Sequence, residues 1–538
     1  MLVENNDNNQ WQQVPIQQVY EKDGEKNIYY GFPAFNGISG PILPNNIGDT
    51  PFDYFTQFFD NDVMDMLVTN TNSFGSRTLP NDWIDTDINE LYLFFAVIMY
   101  MGLIKLNQRR DYWADPLTNQ SFVNERMTYS RFTELIRCIH VKDLVLNDRK
   151  LEKMNNKDPF WSIKPLERKI AEKCRNLFNP EQFISIDEQC LPFKGRHKAK
   201  QYNKNKPNKW HLKLYCMNCS KTGYLLNFYF YRGSREKRPV NITSSNYPAW
   251  KLTKNNIYHN KQHILITDNY FTSSTSINNM LQRQIHTIGT MREKKLNDAK
   301  QLAFKKNSKK VKRGKMKQYF NNANNIYLVT WKDTKVVNFF STIISRYHKI
   351  NRRGVEGQKL IINAPTIGEV YNKNMGGTDL FDQVIQYYWP KIRSASWKPR
   401  CIMHMLYISI INSHVLFKKS NELERGDVNF ELISYIKLLI TNLSTQVLPP
   451  ENFNIRMKRR HEQLVSDPNR MIGIHSPQLN STSRAVNGEN IRKEARRLCA
   501  NCKINRVLTM CINCNVGLCI YNGSGRNCWK EFHSADFR

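Results

Sequence analysis

The chain has 538 residues, with 79 Lys and Arg against 47 Asp and Glu, a formal net charge of +32. That length exceeds what one hydrophobic core sustains, so several domains are expected, and the positive excess favours a polyanionic partner, because neutralising phosphates releases condensed counterions. No membrane partner is expected, although a basic surface could also serve solubility or bind anionic lipid: the most apolar run, Leu91 to Ile104, has 14 residues, short of the roughly 20 that a spanning helix needs, and reads as a buried helix.

Residues 1–48 are rich in Asn, Gln, Gly and Pro and read as a mostly disordered segment, up to about Gly31. It is acidic, since residues 1–62 hold nine acids against Lys22 and Lys26. No signal peptide is visible at Met1–Glu4, so the twelve cysteines read as thiols or metal ligands rather than disulfides. Residues 49–179 carry amphipathic patterns such as Phe52, Phe55, Phe58 and Phe59 and predict a helical domain. In it Asp87 and Glu90 suit a capping box before the buried helix at Leu91. Cys138, Cys174, Cys190 and Cys401 stand alone and read as packing residues.

From about 180 the pattern turns to strands. Phe183-Ile184-Ser185-Ile186 predicts a strand ending at Asp187. After it Lys194, Arg196, Tyr202, Lys206 and Lys209 interleave charge with an aromatic ring, a pattern that grips phosphates and stacks on an unpaired base or, equally, forms a solvated basic loop. Trp210–Tyr215 and Leu225–Phe230 alternate and predict a hairpin turning at Gly223, which makes Cys216-x-x-Cys219 hairpin residues in preference to metal ligands. Ile264-Leu265-Ile266 predicts a short buried strand ending at Asp268.

Lys305 to Lys317 holds eight cations and no acid, open to nuclear import, DNA contact or a solvated loop. Ile326–Val329 and Val336–Phe340 read as strands of an insertion, with Asp333 in a turn. Gly376-Gly377-Thr378-Asp379 opens a helix, with Thr378 as N-cap and Leu380, Phe381, Val384 and Ile385 as its apolar stripe. Asp382 lies one turn on, on the same face. An apolar helix from Cys401 to Phe417 returns to the helical domain. A polar linker follows, about Asn454 to Arg497, with Lys458-Arg459-Arg460 as a second import candidate.

Two chemistries stand out. Two strand-end carboxylates, Asp187 and Asp268, and one on a helix, Asp379, can bracket a pair of Mg²⁺ or Mn²⁺ ions about 4 Å apart for phosphodiester cleavage. Taken singly, each is also explained as a surface group or a helix cap. In the last forty residues Cys499-x-x-Cys502, Cys511-x-x-Cys514, Cys519, Cys528 and His533 have the paired spacing that presents thiolates to tetrahedral Zn²⁺, one ion or two. Over 456–538 the basic residues number 15 and the acids 6, which suits DNA.

Three ordered blocks resemble the piggyBac transposase family. They are Ile186-Asp187-Glu188-Gln189 with Pro192-Phe193-Lys194-Gly195-Arg196 and Lys206-Pro207-Asn208-Lys209-Trp210; Asp268-Asn269-Tyr270-Phe271-Thr272-Ser273; and Gly376-Gly377-Thr378-Asp379-Leu380-Phe381-Asp382-Gln383. The aspartates are 81 and 111 residues apart. The resemblance implies an α/β fold with a ribonuclease H-like core, a mixed sheet flanked by helices, at 180–290 and 366–392, interrupted by an insertion domain at 291–365. It further implies a helical dimerisation and DNA-binding domain at 49–179 and 393–455, a linker at 456–497, and a zinc-binding cysteine-rich domain at 498–538.

The activity implied is metal-dependent cut-and-paste transposition by a nuclear homodimer acting on double-stranded DNA, the transposon terminal repeats and TTAA targets. Asp187, Asp268 and Asp379 would be the metal ligands, Asp382 a supporting catalytic residue, and Lys194, Arg196, Tyr202, Lys206 and Asn269 DNA contacts. The family's zinc module uses eight ligands. Here Asn522–Gly525 lengthens the gap before Cys528 and seven are counted, leaving Asp536 or a water as the eighth. The alternatives are a host-recruited DNA-binding protein that no longer transposes, and an unrelated metal-dependent nuclease.

Overall fold

Three helices of the first unit start where an acid or hydroxyl side chain meets an otherwise unsatisfied amide. In the computed structural model Asp60 accepts from the Val63 amide at 3.0 Å ahead of Asn61–Thr78. Asp87 accepts from Glu90 at 2.7 Å ahead of Ile88–Leu103, and Thr128 accepts from Arg131 at 3.2 Å ahead of Tyr129–Cys138. The structure describes residues 11–19, 21–22, 25–26, 28–29, 31–114, 120–144, 148–305, 310–354, 357–392, 396–425 and 430–445, with short strand segments between 477 and 518. The chain divides into two units, Met1–Val447 and Leu448–Arg538.

The first unit opens with a helical layer that includes α1 (Pro51–Phe55), α2 (Asn61–Thr78), α3 (Ile88–Leu103), α4 (Tyr129–Cys138) and α5 (Lys164–Asn176). α3 is apolar almost all round because it is enclosed: Phe94 through Met99 and Met101 are buried. Phe59 stacks on Phe55 at 5.3 Å and meets Phe95 edge-on at 5.5 Å. The expected capping residue Glu90 turns its carboxylate to Arg131, which grips it through Nε at 2.8 Å and Nη2 at 2.6 Å, tying α3 to α4.

The strands are β1 (Phe183–Pro192), β2 (Trp210–Cys219), β3 (Leu225–Phe230), β4 (Ile264–Thr267), β5 (His286–Met291), β6 (Met316–Asn321), β7 (Ile326–Lys332) and β8 (Val336–Ser341). β1 pairs antiparallel with β2, and β2 antiparallel with β3, while β1 pairs parallel with β4 and β4 parallel with β5. The meander β6–β7–β8 joins β5 through β8, antiparallel throughout. The expected insertion therefore extends the same sheet by backbone hydrogen bonds.

Two expectations fail here. Residues 11–19, read as disordered, carry the strand Trp11–Gln13, which pairs with β6 at the sheet edge, and Trp11 donates to Asp298 at 2.9 Å. An edge strand needs backbone bonds and one anchoring ring, which composition does not register. β1 does not end at Asp187 but runs on to Pro192, because Glu188–Pro192 pair with the first half of β2.

A hairpin, β9 (Tyr347–Arg353) and β10 (Lys359–Pro365), leads into α6 (Thr366–Asn374) and α7 (Gly377–Tyr388). Then α8 (Trp397–Arg425) and α9 (Leu432–Thr445) return to the helical layer, where the Tyr435 hydroxyl donates to the Pro51 carbonyl at 3.0 Å. By length and composition alone α8 passes for a membrane span, but 78% of that window is buried inside the protein. Within it Asn412 exchanges 2.9 Å hydrogen bonds with the amide and carbonyl of Leu225, so α8 is a core helix seated on β3.

In Leu448–Arg538, Pro477–Leu479 pairs with Thr509–Cys511, which pairs in turn with Val516–Gly517, and Arg497–Leu498 pairs with Arg506–Val507. Ser481–Val486 pairs with Glu489–Glu494 inside the stretch read as a linker. The missed signal is Asn487-Gly488, the dipeptide that best suits a two-residue hairpin turn. Cys499, Cys502, Cys514, Cys519, Cys528, His533, Asp536 and Lys458-Arg459-Arg460 lie outside the described residues, as does the side chain of Cys511.

The helical layer is also fastened to the sheet by charge. Glu167 of α5 is held by Arg232 Nη1 at 2.7 Å and accepts the Phe230 amide at 2.9 Å, with both side chains of the ion pair nearly enclosed. Removing one partner of such a pair costs about 3–5 kcal/mol. Glu167→Leu is therefore expected to lower the unfolding free energy obtained from urea titration by an amount of that order, with partial recovery in Glu167→Leu/Arg232→Met; equal midpoints for wild type and Glu167→Leu would refute the assignment.

Candidate active site

Asp187 lies on β1, which has an antiparallel neighbour, β2, on one side and a parallel neighbour, β4, on the other. Across β2 it pairs with Cys216, and across β4 the register Ile186↔Thr267 brings Asp268, the next residue of the chain, alongside it. Asp268 Oδ1 accepts from the Tyr270 amide at 2.8 Å, a turn that fixes its carboxylate just past the strand end. Lys295 Nζ braces the same turn by donating to the carbonyls of Asn269 at 2.9 Å and Tyr270 at 3.1 Å.

Asp379 enters from α7. The helix starts two residues earlier than expected, so Thr378 is not its N-cap: Gly376 is. Thr378 is instead buried and donates to Asn218 Oδ1 of β2 at 2.9 Å. The second glycine is required by space, because a Cβ at Gly377 would sit 2.8 Å from Ser185 Oγ and 3.4 Å from Asn218 Cβ, whereas Gly376 faces nothing within 4 Å. Of the expected apolar stripe, Phe381 and Ile385 are buried and Val384 partly so, while Leu380 is 52% exposed.

The carboxylates repel one another. Burial pushes Asp187 up to about 7, helped by the charges of Glu188, Asp268 and Asp379 against the hydrogen bond from the Glu188 amide. Burial also raises Asp268, with Glu188 adding to it and the Tyr270 and Phe271 amides opposing. Asp382 is raised by burial too, opposed by hydrogen bonds from Gln189 and Gln386 and by Lys206. For Lys206, burial alone would lower the ammonium, but Cys190, Glu188, Asp187 and Asp379 reverse this and hold it above its ordinary value.

Among the described residues no group of three or more His, Cys, Asp or Glu side chains is placed to hold a metal ion. What is present is a set of hard oxygen donors whose mutual repulsion a divalent cation relieves, so the donor chemistry fits Mg²⁺ or Mn²⁺. Of the expected DNA contacts, Lys206 faces the carboxylates. Lys194 and Arg196 are exposed on the loop after β1, and the exposed Tyr202 lies in a two-residue strand, Gln201–Tyr202, paired with the start of β2, where it is 4.7 Å from Trp210 and Lys200 sits 4.7 Å over the Trp210 ring. The Asn269 Oδ1 atom is buried without a hydrogen-bond partner. Cys216 and Cys219 are buried strand residues touching different neighbours, Gln189 and Glu181.

Sequence reasoning missed the support behind Asp382. Gln189 Nε2 donates to Asp382 Oδ1 at 3.2 Å, while its Oε1 accepts from His404 Nε2 at 2.8 Å. Burial, with the charge of Arg400, depresses His404 to about 3, so the ring is neutral and donates. Strand alternation puts Gln189 on the face of Asp187 and was a usable signal. Nothing in the sequence connects it with His404.

The family described as Transposase IS4 matches residues 50–414. Human PiggyBac transposable element-derived protein 3 is 23% identical over 519 residues, covering 93% of this chain and 79% of that protein. Human PiggyBac transposable element-derived protein 2 is 23% identical over 381 residues, covering 69% and 62%. A solved cryo-EM structure, a piggyBac transposase synaptic complex with hairpin DNA, is 22% identical, covers 91% of this chain and 100% of its own, and superposes with a TM-score of 0.65, which establishes a shared fold.

Asp187 carries a pH dependence. Its folded value is raised to about 7 from 3.8, so between these pH values the folded state binds the extra proton. The stability this contributes is complete below the unfolded value and lost as pH rises through the folded one. Chelator-treated protein should lose thermal stability across that window, and Asp187→Asn should flatten the slope; an unchanged slope in the variant would place the titration elsewhere.

Proposed function

The chain belongs to the piggyBac-type Transposase IS4 family, and we propose that it is an active DNA transposase that cleaves and joins transposon ends at TTAA sites. The observation that carries this reading is the buried Asp187, held beside Asp268 and repelled by Asp379 and Glu188 at the seam of the mixed sheet. Carboxylates crowded at such a cost are what a divalent-cation site requires.

Asp187, Asp268 and Asp379 would hold Mg²⁺ or Mn²⁺, which when bound activates the attacking oxygen and stabilises the leaving one in phosphodiester cleavage and strand transfer. The chain's own residues do the rest. Gln189, fixed by His404, orients Asp382. Lys206, Lys194 and Arg196 bind the phosphate backbone, Tyr202 stacks on a base, and Asn269 is assigned a DNA contact beside Asp268. The strand order β3–β2–β1–β4–β5, three antiparallel strands followed by two parallel ones, supports a ribonuclease H-like core at 180–290 and 366–392, with 291–365 inserted. The helices at 49–179 and 393–455 are assigned to dimerisation and DNA binding.

The module 498–538 is assigned one or two Zn²⁺ ions on Cys499, Cys502, Cys511, Cys514, Cys519, Cys528 and His533. Its support is backbone geometry: paired strands bracket each Cys-x-x-Cys, Arg497–Leu498 with Arg506–Val507 and Thr509–Cys511 with Val516–Gly517. The homodimer works in the nucleus on double-stranded DNA. The second reading is a recruited DNA-binding protein that no longer transposes, favoured by the human relatives, which are PiggyBac transposable element-derived proteins.

A cell-based excision assay with the matching transposon ends decides between the two. Wild type should excise and Asp268→Ala should fall to background, whereas inactivity of both favours the recruited binder. For the zinc module, the metal content of purified protein should drop by at least part of a zinc per chain in Cys502→Ser, and an unchanged content would remove that residue from the ligand set.

A further inference from the structure

On the face of the sheet opposite Asp187, beneath the segment that follows β3, a cavity of about 120 Å³ is lined by Tyr215, Tyr229, Tyr231 and Tyr247 together with Glu236 and Arg238. It is smaller than the roughly 300–1,000 Å³ of a drug-sized pocket and suits a single ring system. The Tyr229 hydroxyl is buried without a hydrogen-bond partner. Glu236 is held in place: it accepts from Lys251 at 3.2 Å and from the Arg232 amide at 3.2 Å. Lys251 in turn lies 3.5 Å over the Tyr229 ring. The cavity thus offers aromatic faces, a fixed carboxylate acceptor and a guanidinium donor, within a run, Arg232 to Arg238, that also carries Arg235 and Lys237.

Tyr215 connects the cavity to the strand and turn that carry the catalytic carboxylates. It pairs across the strands with Glu188, the neighbour of Asp187, and lies 5.8 Å from Phe271, in the turn that begins at Asp268. Lys213 bridges the two places, 3.7 Å from Glu188 and over the rings of Tyr215 and Tyr270. No residue of the cavity is used in the cleavage chemistry above.

We propose that this tyrosine cavity receives an unpaired nucleobase of the DNA strand at the active site, extruded from its stack and held between tyrosine rings, with Glu236 accepting from a base N–H and Arg238 donating to a base oxygen. Enzymes that act on a base extrude it from the stack into a pocket of this kind, at a cost that is least for an unpaired base, and aromatic stacking holds any base because each has a π-face. The inference rests on the transposase reading, but its test needs neither metal nor cleavage.

Full-length protein is titrated with a short fluorescent oligothymidylate and with the abasic strand of the same backbone length. Tyr231, half-buried at the cavity, is replaced by Leu or by Phe. Tyr231→Leu should weaken oligothymidylate binding by about 5- to 150-fold, the loss of one base–aromatic stack, and leave abasic binding unchanged, while Tyr231→Phe restores the wild-type value. As a check free of any folding defect, wild type irradiated with an oligonucleotide bearing 5-iodouracil should crosslink at a cavity tyrosine. Equal losses on both strands, no loss at all, or crosslinks only outside the cavity overturn the proposal. If the pocket alone is wrong, wild type still binds oligothymidylate and Asp268→Ala still abolishes excision; if the transposase reading is wrong, excision is absent in wild type as well.

Discussion

Mutual repulsion among carboxylates is the constraint around which the first unit is arranged. Asp187, Asp268, Asp379, Asp382 and Glu188 come from three separate stretches of chain, and electrostatics alone would drive them apart. Two kinds of backbone order oppose that. The parallel register of β1 and β4 sets Asp268 beside Asp187, and the close approach of α7, which only glycine at 377 allows, sets Asp379 and Asp382 against the same face. The energy comes from packing elsewhere, since each strand is buried on at least one side by apolar residues such as Ile184, Ile186, Leu265 and Ile266.

The second layer of control is polar and buried. Gln189 has no exposed surface, and its two ends are fully committed, one to Asp382 and one to His404. A half-satisfied amide at that depth would be costly, so the pair acts as a rigid strut between α8 and the acid on α7. Asn412 plays the matching part further along α8, closing both backbone groups of Leu225. A helix apolar enough to be mistaken for a membrane segment is thereby pinned to one register on the sheet. The cationic groups complement this frame: Lys206 and Lys213 stand beside the carboxylates, and the exposed Lys194 and Arg196 leave charge free for phosphate.

Local signals were legible where the physics is local. The alternation of Trp210–Tyr215 and Leu225–Phe230 specified a hairpin, and the all-round apolarity of Leu91–Ile104 specified an enclosed helix, because burial pattern follows directly from residue spacing. Failures came where distant partners decide. Polar Glu188–Pro192 remain in β1 because β2 pairs with them. Residues 11–19 are ordered by the edge of β6. Thr378 leaves the cap position because Asn218 offers it a buried acceptor.

The sequence by itself determined which side chains carry chemistry: three aspartates in three recognisable contexts, a basic loop after the first, and paired cysteines near the end, since residue type and spacing set what a group is able to ligate or bind. Only the tertiary structure decided how those groups behave. The elevation of Asp187, the placement of Lys206, the hold of His404 on Gln189 and the tyrosine cavity all depend on burial and on partners up to some two hundred residues away, as with the 215-residue separation of His404 and Gln189. Electrostatic energy in a protein depends on distance and on exclusion of water, and neither is written in the order of residues along the chain.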